Sequence, residues 1–532
     1  MLDVPQLVEY AKSLPDVVFA ESSLYTCASS GLELIRRAIR ENELTRMIVA
    51  SCTPRTHEPL FRAVCQEAGL NPFLFEMVNI REHCSWCHAG EPKEKAMERA
   101  KDQIRMGVAR AAFLEVQEEI EIGVSPAALV IGGGVSGMTA ALNLALRNFE
   151  VLLVEREKEL GGLLLKLNKL SPTNIDAREF AQNLARAVKD NKNIKVFTSA
   201  EVASVGGYIG NYDVTVKVDG KEIGQKVGVI IAATGAEVLT PTGKYNYDGK
   251  RVVTQLEFEE ILKTKSLKAK NIVMIQCVGA MGDERTYCSR ICCATAIKNA
   301  LLAKEIIPDA EVTILYREMQ TYGDELEEKY REAREKGVIF ARYSLDWKPE
   351  VGPNSVTVLE RTVGEKIRIP ADMVVLSTPM IARSDSESVA RLLKVPREQN
   401  GFFLEAHVKL RPLEFATDGV YLCGACHWPK DVPDSVTQAC GAASRASIPL
   451  AKGKIRIEPI VSFIDRDKCI ACGLCVSICP YKAIEMVERK AQSVPASCKG
   501  CGLCAASCPE RAITMRHFTD TQIEAAISAL KR

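Results

Sequence analysis

Net charge is what this chain lacks: 69 Lys and Arg stand against 68 Asp and Glu, leaving +1. Without a basic or acidic field there is no electrostatic footprint for nucleic acid or for an anionic membrane surface. Long apolar runs are missing too. The longest are strand-sized, well short of the roughly 20 residues that cross a bilayer. The first residues show no basic stretch followed by an apolar one, so no signal peptide is expected. These absences lead us to expect a soluble, cytoplasmic protein, and 532 residues leave room for three or four domains.

What the chain has in excess is cysteine. There are 20: five before residue 90, four between Cys277 and Cys293, three from Cys423 to Cys440, and eight from Cys469 on. With nothing pointing to export, a reducing compartment favours metal ligation over disulfides. Clustering at ligand-like spacings also argues against small core hydrophobes.

The organising stretch is 127–162. The apolar run Ala127–Ile131 leads into Gly132-x-Gly134-x-x-Gly137, a helical pattern follows, and a second strand at 151–154 ends at Glu155. In such a strand–turn–helix unit the first glycine permits the tight turn and the second lets backbone N–H groups reach a pyrophosphate. The third allows helix and strand to pack closely. The helix N-terminus favours the negative charge. Glu155, 18 residues after Gly137, is placed to accept hydrogen bonds from a ribose. The pair Gly161-Gly162 that follows resembles FAD-binding flavoproteins of disulfide-reductase type more than simple NAD dehydrogenases. A strand at 229–233 running into Thr234-Gly235 resembles the second flavin motif of that superfamily.

A second dinucleotide-type unit begins at 271. The strand 272–276 leads to Cys277-Val-Gly279-Ala-Met-Gly282, so Cys277 is read at the place of the first glycine. Cys288 follows, then Cys292-Cys293 opening a helix at 294–304 and a strand at 311–315. We read Cys277, Cys288, Cys292 and Cys293 as ligands of a central 4Fe–4S cluster, built where a nicotinamide nucleotide would otherwise bind. The flavin fold resumes near Leu404. The strand 418–424 ends at Gly424, and the helix at 435–446 is expected to aim its N-terminus at the flavin, where its dipole favours a reduced, anionic ring. Lys430, between them, is either a donor to flavin N5, and so the one candidate catalytic side chain, or a solvated loop lysine. Cys423 and Cys426 read as small residues at a crowded strand end.

The strongest pattern comes last. After a basic linker at 455–460, Cys469-x-x-Cys472-x-x-Cys475-x-x-x-Cys479-Pro is followed by Cys498-x-x-Cys501-x-x-Cys504-x-x-x-Cys508-Pro. In such paired runs the fourth cysteine ligates the other cluster. Cys469, Cys472, Cys475 and Cys508 are therefore expected to hold one 4Fe–4S cluster, and Cys498, Cys501, Cys504 and Cys479 the second. A final amphipathic helix at 519–530 either caps this domain or docks a partner.

Before the flavin fold, the helical period at 32–39, the strand at 47–50 and a long helix at 94–116 make an N-terminal domain. Its Cys27, Cys52, Cys65, Cys84 and Cys87 have no standard cluster spacing, so a cluster and scattered structural cysteines stay equally open. Cys84-Ser-Trp-Cys87 also has the form of a thioredoxin-like pair, but its surroundings lack the supporting pattern.

The whole arrangement, with 51–61 (SCTPRTHEPLF), 79–86 (NIREHCSW), 277–293 and 429–439 (PKDVPDSVTQA) as its most specific motifs, resembles the HdrA family, the A-type flavin and iron–sulfur subunits of heterodisulfide reductases. The resemblance implies FAD as cofactor, with Gly162, Thr234, Gly235, Gly424, Lys430 and Gln438 beside it. It implies an oxidoreductase of anaerobic metabolism that splits or merges electron pairs between ferredoxin-type and higher-potential carriers. Implied partners are ferredoxin, B- and C-type subunits and a hydrogenase- or dehydrogenase-linked subunit, in a dimer of hetero-oligomers. It further implies an N-terminal cluster on Cys27, Cys52 and Cys84, with Cys87 or Cys65 as fourth ligand. The family usually opens with a strand bearing Cys-His-Cys-Gly, and this chain starts just beyond it. Competing readings are an NAD(P)H-dependent flavin oxidoreductase like the small subunit of glutamate synthase, and an electron relay that does not bifurcate.

The expected fold is α/β: a flavoprotein with two dinucleotide-binding domains, an N-terminal α/β domain and a C-terminal ferredoxin domain with two clusters. The expected parts are 1–124, the FAD domain at 125–268 and 379–456, the nicotinamide-like domain at 269–378, and the ferredoxin domain at 457–532.

Overall fold

A computed structural model describes residues 2–282 and 284–530. The chain divides into two compact units, 123–455 and a second one composed of 1–122 with 456–532.

The larger unit repeats one architecture twice. Its first sheet has five parallel strands in the order Val420–Leu422, Val229–Ala232, Ala127–Ile131, Glu150–Val154 and Ile194–Phe197. The central strands Ala127–Ile131 and Val229–Ala232 are continuous aliphatic runs, as expected of strands covered on both faces, and Val229–Ala232 is buried throughout. One face packs on the helices Val135–Ala145 and Val432–Lys452 through Ala128, Val130, Met138, Leu144 and Ala439. The other packs on the antiparallel meander Ala200–Tyr208, Asn211–Val218 and Lys221–Val227.

The second half has the same plan: parallel strands Val252–Thr254, Met373–Leu376, Asn271–Ile275, Glu311–Tyr316 and Ile339–Arg342. The helix Cys292–Ile306 packs on one face, and a second meander, Glu350–Val351, Ser355–Glu360 and Glu365–Pro370, on the other. The two chain crossings between the halves run side by side, Glu237 pairing with Ile381 and Val238 with Met380. A buried ion pair adds a second tie. Lys298 pairs with Glu259 in the second half and donates to Lys169 O at 2.7 Å in the first. Glu259 also accepts the Asn168 N–H at 2.9 Å.

The smaller unit contains the parallel pair Met47–Ser51 and Phe75–Asn79, and the helix Lys93–Ala111. That helix stops short of the expected residue 116. The Arg46 guanidinium donates to Ala111 O at 3.0 Å and Leu114 O at 2.7 Å, taking up carbonyls the helix would otherwise have bonded. The ferredoxin part pairs Ser462–Ile464 with Ile513–Met515 and Ile484–Val487 with Lys490–Ser493. The last helix, Asp520–Leu530, lies on Lys93–Ala111, with Arg105 donating to Ala529 O at 2.7 Å and Gln522 to Phe113 O at 2.9 Å. Among the described residues, no helix is long and apolar enough to cross a membrane.

Candidate functional site

The glycine turn after Ala127–Ile131 has three glycines with three different constraints. Gly132 sits at φ +109°, and a Cβ there would stand 2.4 Å from Ala233 O. At Gly137 a Cβ would meet Gly132 O at 1.8 Å, so the first helical turn rests directly on the strand end. Gly134, the N-cap of Val135–Ala145, has ordinary backbone angles, and a Cβ there would touch nothing within 4 Å. Two glycines are demanded by packing, and the third faces open space at a helix N-terminus, which is what a bound pyrophosphate requires. Gly161 bridges to Gly134, and a Cβ on Gly162, at φ +56°, would come within 3.3 Å of Gly134 Cα. Glu155 is buried and occupied: it accepts the Gly133 N–H at 2.5 Å and the Glu157 N–H at 2.8 Å. Gly235, at φ +74°, also opens onto free space.

From the far side of the sheet, Gly424 closes on the same turn. Its φ is +78°, and a Cβ would overlap Ser136 Oγ at 2.1 Å. The helix Val432–Lys452 begins earlier than the expected 435, because Asp431 caps it by accepting the Asp434 N–H at 2.8 Å and Pro433 suits its first turn. Gln438 on that helix accepts the Gly424 N–H at 3.1 Å. Lys430 is buried, with Nζ 3.4 Å from Trp428 O, and burial lowers its pKa.

The second half departs from the first at its turn. Gly132 N–H bonds to Val154 O, and the equivalent ladder bond runs from Gln276 N–H to Leu315 O. Gln276 therefore holds the register position of Gly132, one residue before the Cys277 indicated by the motif alignment. Cys277 still takes a left-handed φ of +59°, a conformation that costs a non-glycine residue about 1–2 kcal/mol. The connection then runs on to Ile291 before the helix Cys292–Ile306 begins, far longer than the tight turn of the first half. Into this loop and helix start the fold gathers Cys277, Cys288, Cys292 and Cys293, close enough that Cys288 and Cys293 act on the Cys277 thiol and that Cys277, Cys288 and Cys293 all act on Cys292.

Burial, then Cys293, pushes the Cys277 thiol up to about 12, with Arg317 pulling the other way. Burial raises Cys293 to about 11 and Cys292 well above its ordinary value. Three thiols that resist becoming thiolates on their own, Cys277, Cys292 and Cys293, suit a ligand set whose charge a metal cluster would offset. Gln276, fully buried, has neither side-chain amide atom bonded among the described residues, the mark of a site lacking a polar partner.

The ferredoxin cysteines line two separate cavities. Cys469, Cys472, Cys475 and Cys508 share one with Ile464, Ala491 and Ile513. Cys479, Cys498, Cys501 and Cys504 share the other with Ser462 and Met515. Each cavity thus receives its fourth cysteine from the other run. Backbone N–H groups point at the sulfurs in matched pairs, Ala483 to Cys479 and Ala512 to Cys508, both at 3.3 Å. The Ala491 N–H is the largest cause of a lowered Cys469 pKa. These donors suit thiolate sulfur in a cluster.

The N-terminal cysteines separate into different environments. Cys65 is fully buried in the aliphatic core with Ile35, Phe61 and Val64, and burial raises its pKa to about 12. Cys27 and Cys52 both act on Arg81, while Cys84 and Cys87 sit together on the π-helix Arg81–Trp86 and its cap. Among the described residues, no three His, Cys, Asp or Glu converge on a point that would hold a single metal ion. A cubane cluster is instead held by thiolates ringing four irons.

Sequence reasoning passed over two residues here. His427 Nε2 lies 3.0 Å from Glu405 Oε2, and its Nδ1 is 3.2 Å from the Gln438 amide nitrogen. A lone histidine 22 positions from its acid gives no pattern to read.

Residues 126–443 match the pyridine nucleotide-disulphide oxidoreductase family, and 462–515 match the 4Fe-4S dicluster domain. The first match carries FAD as cofactor and the second carries 4Fe–4S clusters. Among curated relatives, the second A-type iron-sulfur subunit of the CoB--CoM heterodisulfide reductase of Methanopyrus kandleri is 37% identical, over 93% of this chain and 90% of that one. The A-type subunit of the H(2):CoB-CoM heterodisulfide,ferredoxin reductase of Methanothermobacter marburgensis is 36% identical, over 99% and 95%. Of solved structures, thioredoxin reductase of Lactococcus lactis aligns at 17% identity with a TM-score of 0.44, over 62% of this chain and 100% of that one.

Proposed function

Because this chain belongs to the HdrA family of heterodisulfide reductase subunits, we propose that it is the electron-splitting subunit of a heterodisulfide-reductase-type complex. In this reading it divides or merges electron pairs between a ferredoxin-type low-potential carrier and a higher-potential one. The observation that carries the reading is the set Cys277, Cys288, Cys292 and Cys293, gathered in the half of the fold where a nicotinamide nucleotide would otherwise be held. A one-electron cluster there replaces a hydride carrier.

FAD, when bound, supplies the exchange between two-electron and one-electron chemistry. Gly134 leaves the helix N-terminus open to its pyrophosphate, Gly132 and Gly137 shape the turn that would hold it, and Glu155 would accept from its ribose. Gly162, Thr234, Gly235, Gly424 and Gln438 line its path, and Lys430 presents a buried ammonium to the flavin. Cys469, Cys472, Cys475 and Cys508 hold one ferredoxin cluster, and Cys498, Cys501, Cys504 and Cys479 the other. In the N-terminal part, Cys27, Cys52, Cys84 and Cys87 form the cluster set, since Cys65 belongs to the core. The parts divide near 124, 378 and 456, and the division expected at 268 moves back to before Val252, because Val252–Thr254 lies in the second half's sheet and Phe258 and Leu262 in its core.

The partners in this reading are ferredoxin, B- and C-type subunits and a hydrogenase- or dehydrogenase-linked subunit, in a cytoplasmic dimer of hetero-oligomers. The test is anaerobic reconstitution with those proteins. A two-electron donor should reduce ferredoxin only while the higher-potential acceptor is present. Equal ferredoxin reduction without that acceptor would make the chain a relay.

A further inference from the structure

We propose that His427 is a positioning residue of the flavin site, whose protonation state sets the direction of the Gln438 amide and thereby whether the Gly424 N–H is engaged. Three contacts in series carry this: Glu405 Oε2 to His427 Nε2 at 3.0 Å, His427 Nδ1 to Gln438 Nε2 at 3.2 Å, and Gln438 Oε1 to Gly424 N at 3.1 Å.

The donor and acceptor inventory admits one arrangement. A carboxylate only accepts, so His427 carries its proton on Nε2. Nδ1 is then an acceptor and takes a hydrogen from the Gln438 amide nitrogen. That leaves Oε1 as the only Gln438 atom able to accept from Gly424. The side chains of His427 and Glu405 are only 15% and 14% exposed, so water competes little for these bonds.

Protonating Nδ1 breaks the series. Two donors then face each other between His427 and Gln438. If the amide turns to present its oxygen to His427, its nitrogen faces the Gly424 N–H, and that pair clashes instead. The two donors stand at opposite ends of the amide, Gly424 N at Oε1 and His427 Nδ1 at Nε2, so turning the oxygen to the imidazolium carries it away from Gly424 and releases that N–H. Gly424 lies against Ser136, at the start of the helix that follows the glycine turn, with no room for a Cβ. The released donor is therefore at the dinucleotide site itself.

The charges around His427 keep the neutral form as the resting one. Burial lowers its pKa first, and Lys430, on its own loop, lowers it further. Glu405, from the segment before the strand Val420–Leu422, and Gln438, from the helix Val432–Lys452, act in the opposite direction. Beyond Lys430 stand Cys426, Arg290 and Asp434. Tyr287, packed on the neighbouring Trp428 at 5.0 Å, is kept a neutral phenol by burial. An added negative charge at the flavin would favour the imidazolium, so the switch couples to flavin reduction, with the proton drawn from solvent.

The inference rests on the placement of FAD against Gly424 and Gln438. It is tested on the anaerobic, FAD-loaded full chain by measuring the flavin midpoint potential from about pH 5 to 8, where imidazoles titrate. The parent should show a break in the plot of potential against pH. His427→Phe should remove it with FAD stoichiometry unchanged. Glu405→Gln should move it down by about one pH unit, a tenfold fall in the protonation constant. Gln438→Leu should also abolish it, although His427 is still present, so the coupling stays testable if His427→Phe fails to fold. A parent without a break, or one retained in His427→Phe or Gln438→Leu, overturns the proposal while leaving the FAD site standing. FAD affinity untouched by Gly134→Ala would instead remove the placement beneath it.

Discussion

Replacing Gly134 and Gly137 separately should divide folding from cofactor binding. Gly134 has φ −75° and ψ −175°, angles any residue adopts, and a Cβ there meets nothing within 4 Å. Gly134→Ala should leave the deflavinated fold intact, or stabilise it by about 0.4–1 kcal/mol through the lower entropy of the unfolded chain. The added methyl group projects into the space assigned to the pyrophosphate, so it displaces hydrogen bonds to a charged group worth about 1.5–3 kcal/mol each. Losing one of them weakens FAD binding about tenfold or more. Gly137→Ala differs, because its Cβ would stand 1.8 Å from Gly132 O and must push helix from strand. Such overpacking costs about 1–3 kcal/mol, so melting temperature and FAD affinity should fall together. Flavin-fluorescence titration of the deflavinated chain and thermal melts of the same preparations give both quantities. Parental FAD affinity in Gly134→Ala would refute the placement of the phosphate.

Four further outcomes follow from the site. Cys508→Ser should remove about four irons and expose Cys472 to alkylation while Cys501 stays protected; the reverse protection would contradict the crossed ligand sets. Gln276→Leu should raise the melting temperature of the cluster-free chain, since it replaces an unbonded buried amide costing about 1–3 kcal/mol, and an unchanged or lower value would show that the amide is satisfied. Alkylation of the cluster-free chain at pH 8 should label Cys469, whose pKa is lowered, well before Cys277, at about 12, and Cys293, at about 11. The buried thiols stay neutral until the pH nears those values, so equal labelling rates would contradict the burial argument. NAD(P)H should neither bind the isolated chain tightly nor reduce it quickly, and micromolar affinity in an anaerobic titration would reverse this.

The parts of this molecule legible in its sequence are those where spacing itself encodes geometry. Glycines at 132, 134 and 137 between two apolar runs specify a strand–turn–helix, and the repeated cysteine runs specify two cavities with exchanged fourth residues. Where spacing carries no geometry, the pattern misleads. The loop from Cys277 to Ile291 has no counterpart in the first half, so only the hydrogen-bond ladder shows that Gln276 takes the register of Gly132. Cys65 looks equivalent to its neighbours because burial leaves no trace in spacing. The helix ending at Ala111 is stopped by an arginine 65 positions away. His427, Glu405 and Gln438 meet only because a strand end and a helix start are brought together by the sheet, which no local pattern records.

The most direct test of the central claim, a cluster held by Cys277, Cys288, Cys292 and Cys293 facing the flavin, is anaerobic iron, sulfide and flavin analysis of the parent beside Cys292→Ser. Two ferredoxin clusters and the central one give about 12 irons per FAD, and an N-terminal cluster raises this to about 16. Cys292→Ser should lose about four of them while retaining FAD. A parental value near 8, or a Cys292→Ser chain with undiminished iron, would contradict it.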